Sequence, residues 1–555
     1  MRGQSGGRLG AVAGRYGMLA VGVVAFVALV AFVPSIRSTR TEYVQGGGLA
    51  VNGFVPYKTP GQQTAGTTVG GYSCGPGKRQ VPWSQYAAAC MPAWHGENGG
   101  PTSPGVTATT ITVTADFAMN GGYCPILKSL EGQDVVGQSL FTKVMQTYVK
   151  FLNKEFDLYG RHVVLKVFTG KACFANELMG QNQAEATSDA EEAASLGAFA
   201  DASMLYSSPP YDTALAQKKI IAMGGQFEPD SWYKQFQPYE YSTIGTCSQF
   251  FQAAVSIISR SMAGMPAIFA GSPSLEAKKR TFGLIYPSIP EFHTCATAAI
   301  AALAKAGIPL AAQYGYSIAS LAALPTEASS IMADFSKLGI TTVICGCDPL
   351  TPMFLVQSAA SQNYYPEWIP LTLSNGTTRS IMSGTQGQAE WAHALTLYVQ
   401  EVPASEMEYA VAWRFATGHT LKSQIDTIQA EGIYPDLLLL FSALQQAGPD
   451  LTPKTFERGF WSLMNSNPDG TMGPWAYGPG VFVSPSGNQI SWWDEKARGP
   501  VTGQAGAWIA CNHGQMYSYS NSFAGLPDHS QLDCFGRGGS DQPWVPPPSA
   551  LPKSE

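Results

Sequence analysis

Gly71-Tyr72-Ser73-Cys74-Gly75 matches the serine-nucleophile pattern G-x-S-x-G. That serine works only on a strained strand-to-helix turn, with a histidine and an acid further along the chain. This copy ends a Gly/Thr/Gln-rich run, Gly61 to Gly71, without apolar period, and its Cys74 is a disulfide candidate. A serine hydrolase is therefore a remote alternative. The seven histidines include no i, i+4 pair. Cys345-x-Cys347 and Cys511-x-His513 are too sparse for zinc. There is no P-loop and no dinucleotide fingerprint in a strand–turn–helix setting. The expectation is no enzyme, no catalytic residue, no metal and no cofactor.

The same residues also bear on compartment. Ten cysteines are an even number, which outside the cytoplasm suggests disulfides. Cys74 and Cys90 bracket one short loop, and Cys511 and Cys534 another. Arg2, Arg8 and Arg15 precede an uncharged run from Tyr16 to Ile36. Those 21 residues would span about 30 Å as a helix, roughly a bilayer core. The basic flank keeps the N-terminus in the cytoplasm. This predicts a single-pass anchor with the bulk of the chain extracytoplasmic. A cleaved signal would need small residues in an A-x-A-like arrangement, and Phe32-Val33-Pro34-Ser35-Ile36 fits that poorly. No Cys follows closely enough for a lipid anchor. The net charge of −6 and the absence of a Lys/Arg block argue against nucleic acid as partner.

Positioning elements follow from periodicity. Thr109–Ala115 and His162–Phe168 are β-branched strands. Asp134–Phe156 carries Val135, Leu140, Val144, Tyr148, Phe151 and Leu152 at helical spacing. Ala175–Ser195 reads as one helix, Ala198–Ser203 and Lys219–Met223 as short strands, and a helix starts near Pro209. A second set follows: helix Cys247–Met262, strand Arg280–Tyr286 with a helix to Ala306, strand Ile340–Cys345, helix Pro349–Gln362 and strand Trp368–Leu373. Helices return at Ser405–Thr420, Tyr434–Ala447 and Pro453–Asn465. Strand–helix alternation implies parallel sheets covered by helices.

Gly105-Val106-Thr107-Ala108-Thr109-Thr110-Ile111-Thr112-Val113 resembles the opening of the branched-chain amino-acid-binding family, the type I periplasmic binding proteins of ABC importers. Gly339-Ile340-Thr341-Thr342-Val343-Ile344-Cys345-Gly346-Cys347-Asp348 resembles its second-lobe strand. Asn363-Tyr364-Tyr365-Pro366-Glu367-Trp368 resembles a turn of the family. Cys74 to Ser84 resembles a leader loop of actinobacterial members. The resemblance spans about residues 70 to 525. It implies an α/β fold of two lobes, parallel sheets flanked by helices and three inter-lobe crossings, with a small molecule held between strand ends and an ABC permease as partner. On it we divide the chain into 1–15 cytoplasmic arm, 16–36 anchor, 37–108 leader and linker outside any core, 109–245 lobe one, 246–398 lobe two, 399–472 lobe one again, 473–525 lobe two and its last strands, and 526–555 a Pro-rich tail.

The resemblance places ligand contacts at Tyr206, Ser207, Ser208 and Tyr211, at Gly225 and Gln226, and at Tyr286, Cys347, Asp348, Ser374 and Asn375. Ser207 or Ser208 equally suits an N-cap, and Asp348 equally suits capping the helix after it. Pro209 and Pro210 lack N–H groups, Asp212 puts negative charge in the first helical turn, and Ser374-Asn375 carries no charge where relatives hold an ammonium with Glu. These departures favour a neutral, amide-like or aromatic solute at least as readily as a zwitterion, with Tyr206, Tyr211 and Tyr286 as walls. The resemblance also implies a disulfide at Cys173, with Cys124 as best partner, and pairing of Cys295 with Cys345 or Cys347, leaving Cys247 to the remaining thiol or free. An anchored extracellular sensor of the same fold is the alternative.

Overall fold

The computed structural model describes residues 42–44, 47–50, 57–125, 128, 137–225, 227–318, 320, 322–348, 351–371, 388–398, 407–421, 424–466, 472–498, 505–527 and 532–535. The candidate anchor lies outside these residues. Among the described residues no helix is long and apolar enough to cross a membrane.

Lobe one is built on β1 (Thr110–Asp116), β2 (His162–Phe168), β3 (Ala200–Asp201), β4 (Ile221–Met223) and β5 (Glu240–Tyr241), in spatial order β2-β1-β3-β4-β5. Every neighbouring pair is parallel. Ile111, Val113 and Ala115, alternate residues of β1, share one face of the strand and are all buried. Helix α1 (Gln138–Glu155) lays Phe141, Val144, Tyr148, Phe151 and Leu152 into the core, the face its 3.6-residue period marks out. The anticipated helix 175–195 is two helices, α2 (Phe174–Leu178) and α3 (Gln183–Ser195). Asn182, at φ 53°, breaks it between them. Helix α4 (Pro209–Gln217) and α5 (Asp230–Phe236) complete the first pass.

Lobe two follows with α6 (Cys247–Ile257), β6 (Phe282–Pro287), α7 (Pro290–Lys305), β7 (Ala312–Tyr316), α8 (Leu324–Lys337), β8 (Thr342–Cys345), α9 (Thr351–Ser361) and β9 (Glu367–Pro370). Its parallel sheet has the order β7-β6-β8-β9. β7 and α8 were not foreseen; alternation in Ala-Gln-Tyr-Gly-Tyr is too short to signal an edge strand. The chain is back on lobe one by α10 (Glu408–Thr417), α11 (Gln424–Ala447) and α12 (Pro453–Trp461). There the Tyr148 hydroxyl donates to Tyr409 O at 2.9 Å, and the Tyr148 and Tyr434 rings lie 5.1 Å apart. Helix α11 contains Pro435. An antiparallel sheet of β10 (Leu395–Tyr398), β11 (Gly487–Arg498), β12 (Ala505–Ala510) and β13 (Met516–Ser518) closes lobe two. Two crossing segments are tied side by side: Ser242 N–H donates to Phe482 O at 3.1 Å and Ser484 N–H to Ser242 O at 3.0 Å.

Two expectations about chain ends are corrected. Residues 57–108 are not a linker outside the core. Val81, Trp83, Tyr86, Ala87, Ala88 and Val106 are buried within the main cluster of lobe one. At the other end Leu526, Leu532 and Cys534 belong to a lobe-two cluster, so packing continues beyond residue 525. Residues 536–555 lie outside the described set.

Disulfides join Cys74–Cys90, Cys124–Cys173 and Cys511–Cys534. The expected pairing of Cys295 with Cys345 or Cys347 is overturned. Cys295 bonds Cys247, linking α7 to the start of α6, and Cys345 bonds Cys347 across one residue at the tip of β8. No free thiol remains among the described residues.

Lobe two contains a buried ion pair. Arg280 contacts both carboxylate oxygens of Glu367, Nε to Oε2 and Nη2 to Oε1, each at 2.8 Å. Thr342 Oγ1 and Phe269 N–H donate to the same carboxylate at 2.7 and 3.0 Å. Breaking a buried pair strands the other charge. Glu367→Gln is expected to lower stability by about 3–5 kcal/mol in urea unfolding; a loss below about 1 kcal/mol would show that Arg280 finds other partners.

Candidate functional site

The carboxyl ends of β3 and β4 place the first set of candidate residues. Ser208 is the N-cap of α4, its Oγ accepting from Tyr211 N–H at 3.4 Å. Its hydroxyl donates to Glu177 Oε2 at 2.5 Å. Ser207 Oγ donates to Asp212 Oδ1, and Asp212 Oδ2 accepts the Gly225 N–H at 2.7 Å. Gly225 sits at φ +70°, and a Cβ there would meet the Tyr233 hydroxyl at 2.5 Å, so this turn requires glycine. Gln226 lies outside the described residues.

Tyr206 and Tyr211 have different surroundings. Tyr206 stands among Phe117, Phe141 and Phe174 at centroid distances of 5.1, 5.2 and 5.6 Å. Tyr211 is buried like Tyr206, and its hydroxyl donates to Asp201 at 3.0 Å. It belongs to a buried cluster with Ala186, Ala190, Leu215 and Ile220.

In lobe two, Tyr286 is the last residue but one of β6, its ring 6.0 Å from His293. The Cys345–Cys347 bridge fixes the turn after β8, and Phe251 packs so closely that a Cβ on Gly346 would meet it at 2.3 Å. Asp348 acts as a cap: Oδ1 accepts Thr351 N–H at 3.1 Å and Oδ2 accepts the Tyr316 hydroxyl at 2.5 Å. Ser374 and Asn375 lie outside the described residues.

Of the carboxyl groups behind these loops, sequence reasoning singled out Asp212 and missed the others. Glu177, Asp201, Asp212, Glu228 and Glu240 are all buried in lobe one. Burial pushes Asp201 up to about 6 and Glu177 and Asp212 up to about 7. Burial first, then neighbouring carboxyls, raises Glu228 and Glu240 further still. Among the missed groups a hint was present for Glu177, an acid one turn into the helix that follows Cys173.

The two lobes touch near these groups. Met179, just past Glu177, packs on the lobe-two cluster that contains Tyr316 and Cys347. Phe227 packs on Phe250 at 5.8 Å, and Glu228 O accepts Cys247 N–H at 3.3 Å. Ser73, by contrast, lies on a two-residue strand and its hydroxyl receives Lys78 Nζ at 3.0 Å. It has no strand-to-helix turn of the nucleophile type. No metal-binding cluster occurs among the described residues.

Two parallel sheets, tip loops shaped by caps and bridges, and paired crossing segments define the class: a two-lobed fold of the type I periplasmic-binding kind. Solved structures agree. A fatty acid ABC transporter substrate-binding protein from Thermomonospora curvata matches with TM-score 0.50 at 16% identity, over 76% of this chain and 97% of that one. The leucine-, isoleucine-, valine-, threonine- and alanine-binding protein from Brucella ovis, in its closed conformation, matches with TM-score 0.53 at 11% identity, over 76% and 98%. An ABC transporter solute-binding protein from R. palustris in complex with 4-hydroxybenzoate matches with TM-score 0.50 at 13% identity, over 74% and 97%. No family model and no curated protein sequence matches the chain. At such identities the likeness establishes the fold.

Proposed function

We propose that this protein is an extracytoplasmic solute-binding protein that closes two lobes on a small molecule and delivers it to an ABC permease without chemistry. The observation that carries the reading is the pair of parallel sheets joined by hydrogen-bonded crossings at Ser242 and Ser484. Ligands of open α/β sheets bind outside the carboxyl ends of the strands. Neighbours of this fold are substrate-binding proteins for fatty acid, for branched-chain and small amino acids, and for 4-hydroxybenzoate. The uncharged run Tyr16–Ile36 behind three arginines supports tethering by an N-terminal membrane helix. The candidate contacts are Tyr206, Ser207, Ser208, Gly225 and Gln226 from lobe one and Tyr286, Cys347, Ser374 and Asn375 from lobe two.

The test is a thermal-shift screen of the full-length chain in mild detergent against amino acids, amides, amines, aromatic acids and fatty acids. A solute at 100 times its dissociation constant stabilises by about 2.7 kcal/mol. A clear upward shift with one class is expected, and no shift across all classes would count against solute binding.

A further inference from the structure

We propose that the solute presents a positively charged N–H group, an ammonium or guanidinium, to lobe one, and that Glu177 receives it. This rests on the solute-binding reading and narrows it to a chemical class. The loop at the tips of β3 and β4 has turned its donors inward. The Ser208 hydroxyl is given to Glu177 and the Ser207 hydroxyl to Asp212. Tyr211 N–H and Asp212 N–H go to Ser208, Gly224 N–H to Tyr241 O and Gly225 N–H to Asp212. Pro209 and Pro210, the first two residues of α4, have none to offer. A helix start engaged in this way has lost the features that make such sites hold anions.

What the loop retains is an acceptor. Glu177 is 2% exposed, yet its Oε1 has no hydrogen-bond partner among the described residues while Oε2 holds Ser208. A buried unpaired carboxylate oxygen is costly unless something donates to it. The charges acting on Glu177 are those of Asp189, Asp212 and Glu185, all acidic. Position favours a ligand as the missing donor: Glu177 adjoins the candidate serine loop, and Met179, half a turn on, already packs against lobe two. A cation lodged there would be enclosed when the lobes meet.

The experiment measures binding to the full-length chain by calorimetry, with phenethylamine and agmatine as cationic probes and benzoate and leucine as carboxylate-bearing ones. The expected result is saturable binding of a cationic probe, weakened at least 30-fold by Glu177→Gln and partly restored by Glu177→Asp, with proton release seen as a buffer-dependent heat. Glu177→Gln keeps an N–H donor, so if Glu177 instead served as a protonated donor the variant would bind equally well and the proposal would fall. Melting curves of both variants establish that they fold. Binding of benzoate or leucine alone, indifferent to Glu177→Gln, would overturn the cationic assignment and leave solute binding intact. Silence from every probe here, together with an empty thermal-shift screen, would remove both.

Discussion

A chain shortened to begin at residue 109, where the first strand of lobe one starts, is expected not to fold, whereas one beginning at residue 57 keeps a cooperative melt. The missing segment forms part of the wall of lobe one. Trp83 stacks between Phe151 and Phe415, at 6.1 and 5.1 Å, and Val81, Tyr86 and Met91 are all at most 2% exposed. Burying side chains of this size stabilises by about 1.5–3 kcal/mol each. Four of them together rival the roughly 5–15 kcal/mol by which a domain is stable at all. Polar groups make the loss steeper. Gln445 Nε2 donates to Ala89 O at 3.0 Å, Gln80 Nε2 to Glu155 O at 2.8 Å, and the Tyr86 hydroxyl to Gly473 O at 2.8 Å. Glu408, fully enclosed, is held by Ser84 Oγ and by Gln85 N–H at 3.1 Å. Truncation would leave these partners buried and unpaired. Circular dichroism melts of the two chains decide the matter; a shortened chain melting cooperatively within a few degrees of the longer one would show that lobe one closes without this segment.

That segment also marks the limit of what could be read in the residues. α1 announced itself because Val144, Tyr148, Phe151 and Leu152 repeat at helical spacing, and β1 because Thr110–Val113 is β-branched. Val81, Trp83 and Tyr86 lie on irregular backbone and enter the core one at a time, so no period reveals them. Thiol pairing was ambiguous for a related reason. Four cysteines at 247, 295, 345 and 347 allow three connectivities, and only the approach of α6 to α7 selects among them. At the candidate site, the missing N–H groups of Pro209 and Pro210 were legible directly. The capture of the Ser208 hydroxyl was not, because its acceptor Glu177 is 31 residues away. Long-range polar contacts leave no local pattern.

Stability should fall as pH rises from about 5 to 8, opposite to the behaviour of a protein held together by ionised pairs. Eleven buried carboxyls are raised chiefly by burial: Glu155 and Asp201 to about 6, Glu177, Asp212 and Glu408 to about 7, Glu390 to about 8, Asp189 upward, and Asp116, Glu228, Glu240 and Asp436 well above the ordinary range. In the unfolded chain they ionise near pH 4. Between these values the folded state holds protons that the unfolded state has released, so raising the pH favours unfolding. Their stabilisation is complete below the unfolded values, declines as pH climbs through the folded ones, and levels off above about 8 for the groups whose values are given. One unit is worth about 1.4 kcal/mol, so a group such as Glu177 contributes roughly 3 kcal/mol across the window. His393 acts in the opposite sense: burial lowers its imidazole below 6.5, so its contribution is lost as pH falls through that region. One such group against eleven leaves the net slope downward with pH by several kcal/mol. Urea unfolding at pH 5, 6.5 and 8 measures it. Asp212→Asn and Glu408→Gln, which put neutral groups where protonated carboxyls are expected, should flatten the slope while changing stability little at pH 5. A profile rising from pH 5 to 8 would mean that these carboxyls are ionised in the folded chain and that cations or water reach them.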